Sequence, residues 1–271
     1  MQIFWLELSK LNKEDFVRKM KAAEVKSMIF TPNPEILLTA KNDQIFAETL
    51  RKWDYLIPDG IGLYAGFQII DSKLPKFLKL LLIPYYWLNL FLKRKKLYTE
   101  YGDRICWSDL TKELIEHAND KWLGVTIVDK FQAPWNAWDN LKIERQKITK
   151  SLLEKKYPNA RFHYYIYRKD EEEKIIEAIN STDDIYLFSS QWLKDQENTI
   201  CSMMPKLTNI KVAVWIGGSF DMILWFKKRA PKIVISLWLE WLWRLIINPQ
   251  RMLKRIWKAL FVFLWEVTKS S

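Results

Sequence analysis

The chain has 271 residues, 49% of them hydrophobic and 28% charged, which excludes wholesale disorder and fits one large domain or two small lobes. Seven glycines exclude a collagen-like architecture; Cys106 and Cys201 are too few for a disulfide framework or a four-cysteine zinc site, so a reduced cytosolic compartment is expected. The formal charge of +11 is concentrated in two stretches: residues 73–96 hold seven Lys or Arg and no acid, and residues 226–271 hold ten against Glu240 and Glu266.

The first residues, Met1-Gln2-Ile3-Phe4-Trp5-Leu6-Glu7, lack the basic start and long apolar run of a signal peptide. Ser27-Met28-Ile29-Phe30 reads as a strand, stopped by Thr31-Pro32-Asn33-Pro34. A helix is predicted over 35–53, then a strand at Tyr55-Leu56-Ile57 that ends at Pro58-Asp59-Gly60. Gly60, Gly62 and Gly66 open the next helix. Further on, Ser108-Asp109 is expected to cap a helix over 110–118. Strands are predicted at 124–128, 162–167, 185–188 and 212–216, with helices over 138–156 and 170–180 between them. The early acids of the 170–180 helix suit its N-terminal dipole. Strands alternating with helices predict a parallel sheet with crossover helices, and ligands in such sheets bind at the carboxyl ends of strands. Polar, turn-forming residues stand at four of those ends: Thr31-Pro32-Asn33, Pro58-Asp59-Gly60, Ser189-Ser190-Gln191 and Gly217-Gly218-Ser219-Phe220-Asp221. Turn formation alone would account for most of them; their convergence on one sheet edge points to a binding crevice.

Two stretches have a different character. The longest uncharged apolar run, 80–92, has 13 residues, whereas a spanning helix needs about 20. With lysines before it and Lys93-Arg94-Lys95-Lys96 after it, the run reads as an interfacial or re-entrant hairpin, or as a surface insertion folded on its own protein. In the last 46 residues, Trp238, Trp241, Leu242, Leu245 and Ile246 share a helical face that Pro249 interrupts. Met252, Leu253, Ile256, Leu260 and Leu264 form a second apolar face opposite Arg251, Lys254, Arg255 and Lys258. Amphipathic, basic, tryptophan-rich helices fit a peripheral membrane anchor, each cation near anionic lipid adding roughly 1 kcal/mol. A packed helical pair is the structural alternative. No RNP motif, zinc finger or helix-turn-helix pattern occurs, so nucleic acid is not an expected partner.

The segments Thr31-Pro32-Asn33-Pro34-Glu35, Pro58-Asp59-Gly60-Ile61-Gly62 and Ile216-Gly217-Gly218-Ser219-Phe220-Asp221 resemble those of the WecG/TagA/CpsF glycosyltransferases. So do Arg104 with Ser108-Asp109-Leu110, Arg229-Ala230-Pro231, Leu239-Glu240-Trp241-Leu242-Trp243-Arg244-Leu245 and Asn248-Pro249-Gln250-Arg251, all in the family's order. The resemblance implies an α/β fold with Rossmann-like parallel sheets in two lobes and a helical, amphipathic C-terminal appendage. The lobes would be 1–105, carrying the catalytic Asp and the 73–96 insertion, and 106–225, holding the nucleotide-sugar; the appendage would be 226–271.

The implied reaction moves an N-acetylmannosamine-type sugar from a UDP donor to a polyprenyl-diphosphate-linked sugar at the cytoplasmic face of the cell membrane. It inverts the anomeric centre, and no cofactor or tightly bound metal is implied. Asp59 matches the family's proposed base; Thr31, Asn33, Arg104 and Gln196 match its polar site residues, and Gly217, Gly218 and Asp221 its glycine-containing loop. Arg229, Arg244 and Arg251 match arginines of an appendage that closes over the site and suit the acceptor diphosphate, because a guanidinium fork binds two oxygens at once. Relatives often assemble into homo-oligomers, a second use for the aromatic tail. Two loops depart from the family pattern: Asp129-Lys130 replaces a glycine pair, and Ser189-Ser190-Gln191-Trp192-Leu193 replaces a glycine-rich loop. Side chains there alter backbone approach to a nucleotide-sugar. They motivate the alternative of a non-catalytic, membrane-associated relative that binds lipid-linked glycan or nucleotide-sugar.

Overall fold

Apolar runs bounded by Pro, Gly and Asp set the strands of the computed structural model. It describes residues 1–130, 139–190, 194–217, 219–224, 230–236 and 238–271; of Lys130, residues 139–145, Gln196, Asp221, Lys232, Ser236 and Arg251 it describes the backbone. A short antiparallel hairpin, β1 (Gln2–Ile3) and β2 (Leu6–Glu7), opens the chain and was not legible as strands. Its turn residues Phe4 and Trp5 both have positive φ, as a tight two-residue hairpin turn requires. Then follow α1 (Lys13–Ala22), β3 (Ser27–Phe30), α2 (Pro34–Asn42), α3 (Gln44–Arg51), β4 (Tyr55–Leu56) and α4 (Ile61–Asp71). Three surface helices occupy the basic and apolar run: α5 (Lys76–Leu81), α6 (Ile83–Leu92) and α7 (Arg94–Tyr101). The middle of the chain alternates α8 (Trp107–Asp120), β5 (Gly124–Lys130), α9 (Asp139–Lys156), β6 (Arg161–Tyr167), α10 (Glu172–Asn180), β7 (Asp184–Ser190), α11 (Asp195–Met203) and β8 (Val212–Trp215). The C-terminal stretch is helical: α12 (Ser219–Ile223), α13 (Lys232–Ser236), α14 (Glu240–Ile247), α15 (Pro249–Trp257), a π-turn over 258–262, and α16 (Phe263–Ser270).

Six strands pair in one parallel sheet, in the order β4-β3-β8-β7-β5-β6. The register couples β3 of the first segment to β8 of the second, Ile29 opposite Val214, so the two sequence segments share a single sheet. Alternate strand residues bury on opposite faces. Ile29, Val125, Tyr186 and Val214 pack on α1, α8 and α9, whereas Phe30, Leu56, Leu187 and Ala213 pack towards α2, α3, α4 and α16.

Two predicted helices differ in their ends. The 35–53 helix is two helices, because the Asp43 side chain accepts from the Phe46 backbone N–H at 3.0 Å and caps a new one. The helix predicted from Leu110 starts at Trp107, with Cys106 in the capping position, and Ser108 lies within its first turn. Trp238 does not share the face of α14. It precedes that helix with φ of +63° and is buried, its Nε1 donating to Tyr98 Oη at 2.8 Å.

Candidate active site

The carboxyl ends of β3 and β4 carry the first parts of the site. After β4 the chain turns sharply: the Asp59 N–H donates to Pro32 O at 2.9 Å, and Gly60, with φ of +102°, occupies the capping position of α4. That conformation favours glycine. Gly60, not Asp59, thus holds the capping position of α4, and the Asp59 carboxylate lies 3.9 Å from Arg104 Nε. Gly62 and Gly66 serve helix packing. A Cβ on Gly62 would stand 3.2 Å from Ala259 O and one on Gly66 3.0 Å from Phe263, so both let α4 pack against the C-terminal helices.

Asp59 lines a cavity of about 160 Å³ with Asn33, Glu35, Arg104, Cys106, Glu240, Arg244 and Arg255; Trp238, Trp241, Met252 and Ile256 supply its apolar wall. The C-terminal segment therefore forms one side of the site. Asn33 caps α2, its Oδ1 accepting from the N–H groups of Glu35 and Ile36 at 3.0 and 3.1 Å. Thr31 is fully buried and does not line the cavity. Gly217, in the turn after β8, accepts from Ser190 Oγ at 2.9 Å and lies apart from this cavity. Gly218 and Arg229, and the side chains of Gln196, Asp221 and Arg251, lie outside the described residues, as does the loop 191–193. Asp129 is the penultimate residue of β5, its Oδ2 accepting from Tyr164 Oη at 2.6 Å.

A buried charge network organises the cavity. Arg104 Nη2 donates to Glu240 Oε2 at 3.0 Å, and Arg244 also donates to Glu240. Arg104 Nε lies 3.9 Å from Asp59 Oδ1 and has no hydrogen-bond partner. Burial pushes the Asp59 carboxyl above its ordinary value; Arg104 and Arg244 pull it down and Glu240 pushes it up again, with a net rise. Burial works against the charges of Glu240 and Arg104 as well. Arg244 and Arg104 outweigh it for Glu240, which is held below the usual carboxylate range, and Asp59, Cys106 and Glu240 outweigh it for Arg104, which is held above its own. The Cys106 thiol is pushed up to about 11 by burial and by the carboxylates of Asp59 and Glu240, so it stays protonated at neutral pH. Among the described residues no group of three or more His, Cys, Asp or Glu is placed to hold a metal ion.

Glu240 and Glu35 were not singled out as site residues from sequence. Glu240 and Glu266 are the two acids of a basic segment, and both fasten it to the first part of the chain: Glu240 to Arg104, Glu266 to Lys41. Glu35 adds a third tie from the other side, 3.0 Å from Arg255 Nε and 3.9 Å from Lys258 Nζ. The signal for such tethers was the scarcity of acids in a cationic tail.

Chemically, the arrangement offers a carboxylate of raised basicity, three guanidinium groups on the cavity wall, and an apolar surface beside them. A profile described as the "Glycosyl transferase WecG/TagA/CpsF family" matches residues 1–82 and 87–271. An N-acetylglucosaminyldiphosphoundecaprenol N-acetyl-beta-D-mannosaminyltransferase of Bacillus subtilis (strain 168) is 26% identical over 233 residues, 84% of this chain and 74% of that relative. One with the same name from Staphylococcus aureus (strain MRSA252) is 23% identical over 244 residues, 90% of this chain and 80% of that relative. With motifs, sheet and profile agreeing along nearly its whole length, the chain belongs to the WecG/TagA/CpsF family of glycosyltransferases.

Proposed function

We propose that the chain moves an N-acetylmannosamine-type or related sugar from a UDP donor to a polyprenyl-diphosphate-linked sugar, with inversion, while lying on the cytoplasmic face of the cell membrane. The observation that carries this reading is Asp59, largely buried at the strand ends and lining a cavity walled by the cationic C-terminal segment. The names of the relatives, which specify a diphosphoundecaprenol-linked acceptor, supply the substrate class.

In this reaction the acceptor hydroxyl oxygen attacks the anomeric carbon of the donor sugar. As that C–O bond forms, the bond from the anomeric carbon to the phosphate oxygen breaks and UDP leaves with the electron pair. Asp59 takes the hydroxyl proton, a role that contributes roughly 10²–10⁴-fold. A raised carboxyl suits it, since a base works best with a pKa near the operating pH. Arg244, with Arg229 and Arg251, holds the acceptor diphosphate, and Arg104 keeps Asp59 ionised. Among the described residues, the backbone amide of Gly217 in the turn after β8 is the candidate donor to the UDP phosphates. No described helix is long and apolar enough to cross a membrane; the exposed side chains Leu253, Trp257, Phe261 and Trp265, spaced four apart along the last helices, are the lipid contact.

The test is release of UDP from UDP-N-acetylmannosamine and related UDP-sugars in the presence of a short-chain lipid-diphosphate-linked N-acetylglucosamine. Turnover that Asp59→Asn lowers by about 10²-fold or more supports the assignment; equal rates for parent and variant remove Asp59 from the mechanism. Calorimetry showing no saturable UDP-sugar binding would instead mark a non-catalytic relative.

A further inference from the structure

The basic and apolar helices α5 and α6 take no part in the cavity. Helix α6 is apolar on both sides. Tyr86 and Leu90 bury against the protein, and Asn89 Nδ2 donates to Gln68 Oε1 of α4 at 3.1 Å. The opposite side carries Tyr85, Leu88 and Leu92 at helical spacing, with Phe77 and Leu81 preceding them on α5. Phe77, Leu81, Leu88 and Leu92 are 63, 71, 53 and 70% exposed. A water-facing stripe of a soluble helix is ordinarily polar, and an exposed apolar patch of this kind marks an interaction surface.

Charge decides between partners. The stretch 73–96 has no acid. Lys73 and Lys76 stand exposed before the apolar stripe, and Lys93, Lys95 and Lys96 after it. Lys93 Nζ lies 5.6 Å from the Tyr85 ring centre, a cation beside an aromatic at the edge of the patch. Apolar side chains rimmed by cations and tyrosine match an anionic bilayer surface. The patch also adjoins the C-terminal helices. Lys76 Nζ donates to Lys269 O at 2.6 Å and Lys79 Nζ to Ser271 Oγ at 3.0 Å, so α5 is braced on the end of α16. The family profile skips residues 83–86, so the first turn of α6 lies outside the match.

We propose that α5 and α6 form a second foot on an anionic lipid surface beside the C-terminal helices, their apolar stripe seated among the acyl chains and their lysines on the headgroups. This rests on the membrane reading above and extends it to a part of the chain remote from the tail in sequence but packed beside it. Because α6 packs on α4, and α4 begins two residues after Asp59, a docked α6 sets the height and tilt of the cavity over the membrane that carries the acceptor.

The experiment is flotation of the full chain with vesicles of phosphatidylcholine containing phosphatidylglycerol, comparing the parent with a Leu81→Gln, Leu88→Gln, Leu92→Gln variant and with a Trp257→Gln, Trp265→Gln variant. The first of these variants, called the α6 variant although its Leu81 closes α5, is expected to bind about tenfold or more weakly, to keep the parent's circular dichroism, and to lose turnover on vesicle-borne acceptor but not on a water-soluble one. Parent-like vesicle affinity in the α6 variant, with loss in the tryptophan variant, overturns the second foot and leaves the tail anchor standing. A parent that fails to float removes the membrane reading itself. Sedimentation showing that the parent self-associates and the α6 variant does not, at equal vesicle affinity, assigns the patch to a second copy of the chain and also overturns the proposal.

Discussion

Arg104 and Glu240 stand 136 positions apart in the chain, yet the Nη2 of one donates to the Oε2 of the other at 3.0 Å inside the wall of the cavity. The same arginine lies 3.9 Å from Asp59 Oδ1, so Arg104 joins Glu240 to the proposed base. Glu240→Gln removes the carboxylate that raises Asp59 and frees Arg104 to lower it. The acid limb of the kcat/KM profile is expected to move to lower pH, and turnover at the optimum to fall because the arginines lose their anchor. Breaking a buried ion pair from one side costs about 3 kcal/mol, read in urea unfolding. An acid limb unmoved in Glu240→Gln would show that Asp59 does not feel the network.

Asp59→Asn separates function from stability. The carboxyl of the folded chain is raised by burial, so its charge costs the native state more than Arg104 returns. The asparagine carries no such cost. Its thermal midpoint near pH 7.5 is expected to equal or exceed that of the parent while turnover collapses; a clear drop would assign Asp59 a structural role.

Glu35 and Arg255 close the opposite side of the cavity at a partly exposed position. Such pairs couple weakly, and a double-mutant cycle of Glu35→Gln and Arg255→Gln is expected to give about 0.5 kcal/mol, falling with salt. The kinetic effect should be larger than the stability effect, as a several-fold rise in KM for the lipid acceptor, because Arg255 also lines the cavity.

Glu197 lies fully buried on α11, and burial pushes its carboxyl up to about 8. Between the unfolded value near 4.5 and that folded value, the native chain keeps a proton that the unfolded chain has released. Stability then falls as pH rises, by up to about 1.4 kcal/mol per unit, and levels off above pH 8. Glu197→Gln lacks this slope. Urea midpoints at pH 5, 6.5 and 8 should show the parent losing stability relative to the variant; parallel curves would contradict the assignment.

Local chemistry made much of this fold legible. The strand at Ser27–Phe30 could be placed because Pro32 and Pro34 forbid its continuation, and Asp59 because Pro58 and Gly60 bracket a turn at a strand end. The readings that shifted did so for equally local reasons: Asp43 caps a second helix, and Trp238 spends its indole on Tyr98 instead of on a helix face. The cavity wall was less legible, because ties such as Arg104–Glu240 and Lys41–Glu266 join residues more than a hundred positions apart, and periodicity carries no information across such a span.

The wall that the C-terminal helices place against Asp59 makes proton affinity a property of closure. Any displacement of α14 that admits water lowers the burial contribution to Asp59 and takes Glu240 away from it. The carboxylate then reverts towards an ordinary surface acid, a feeble acceptor of protons at neutral pH. On the reading proposed above, water entering an ajar cavity therefore meets a weak base, and proton abstraction is confined to the shut state.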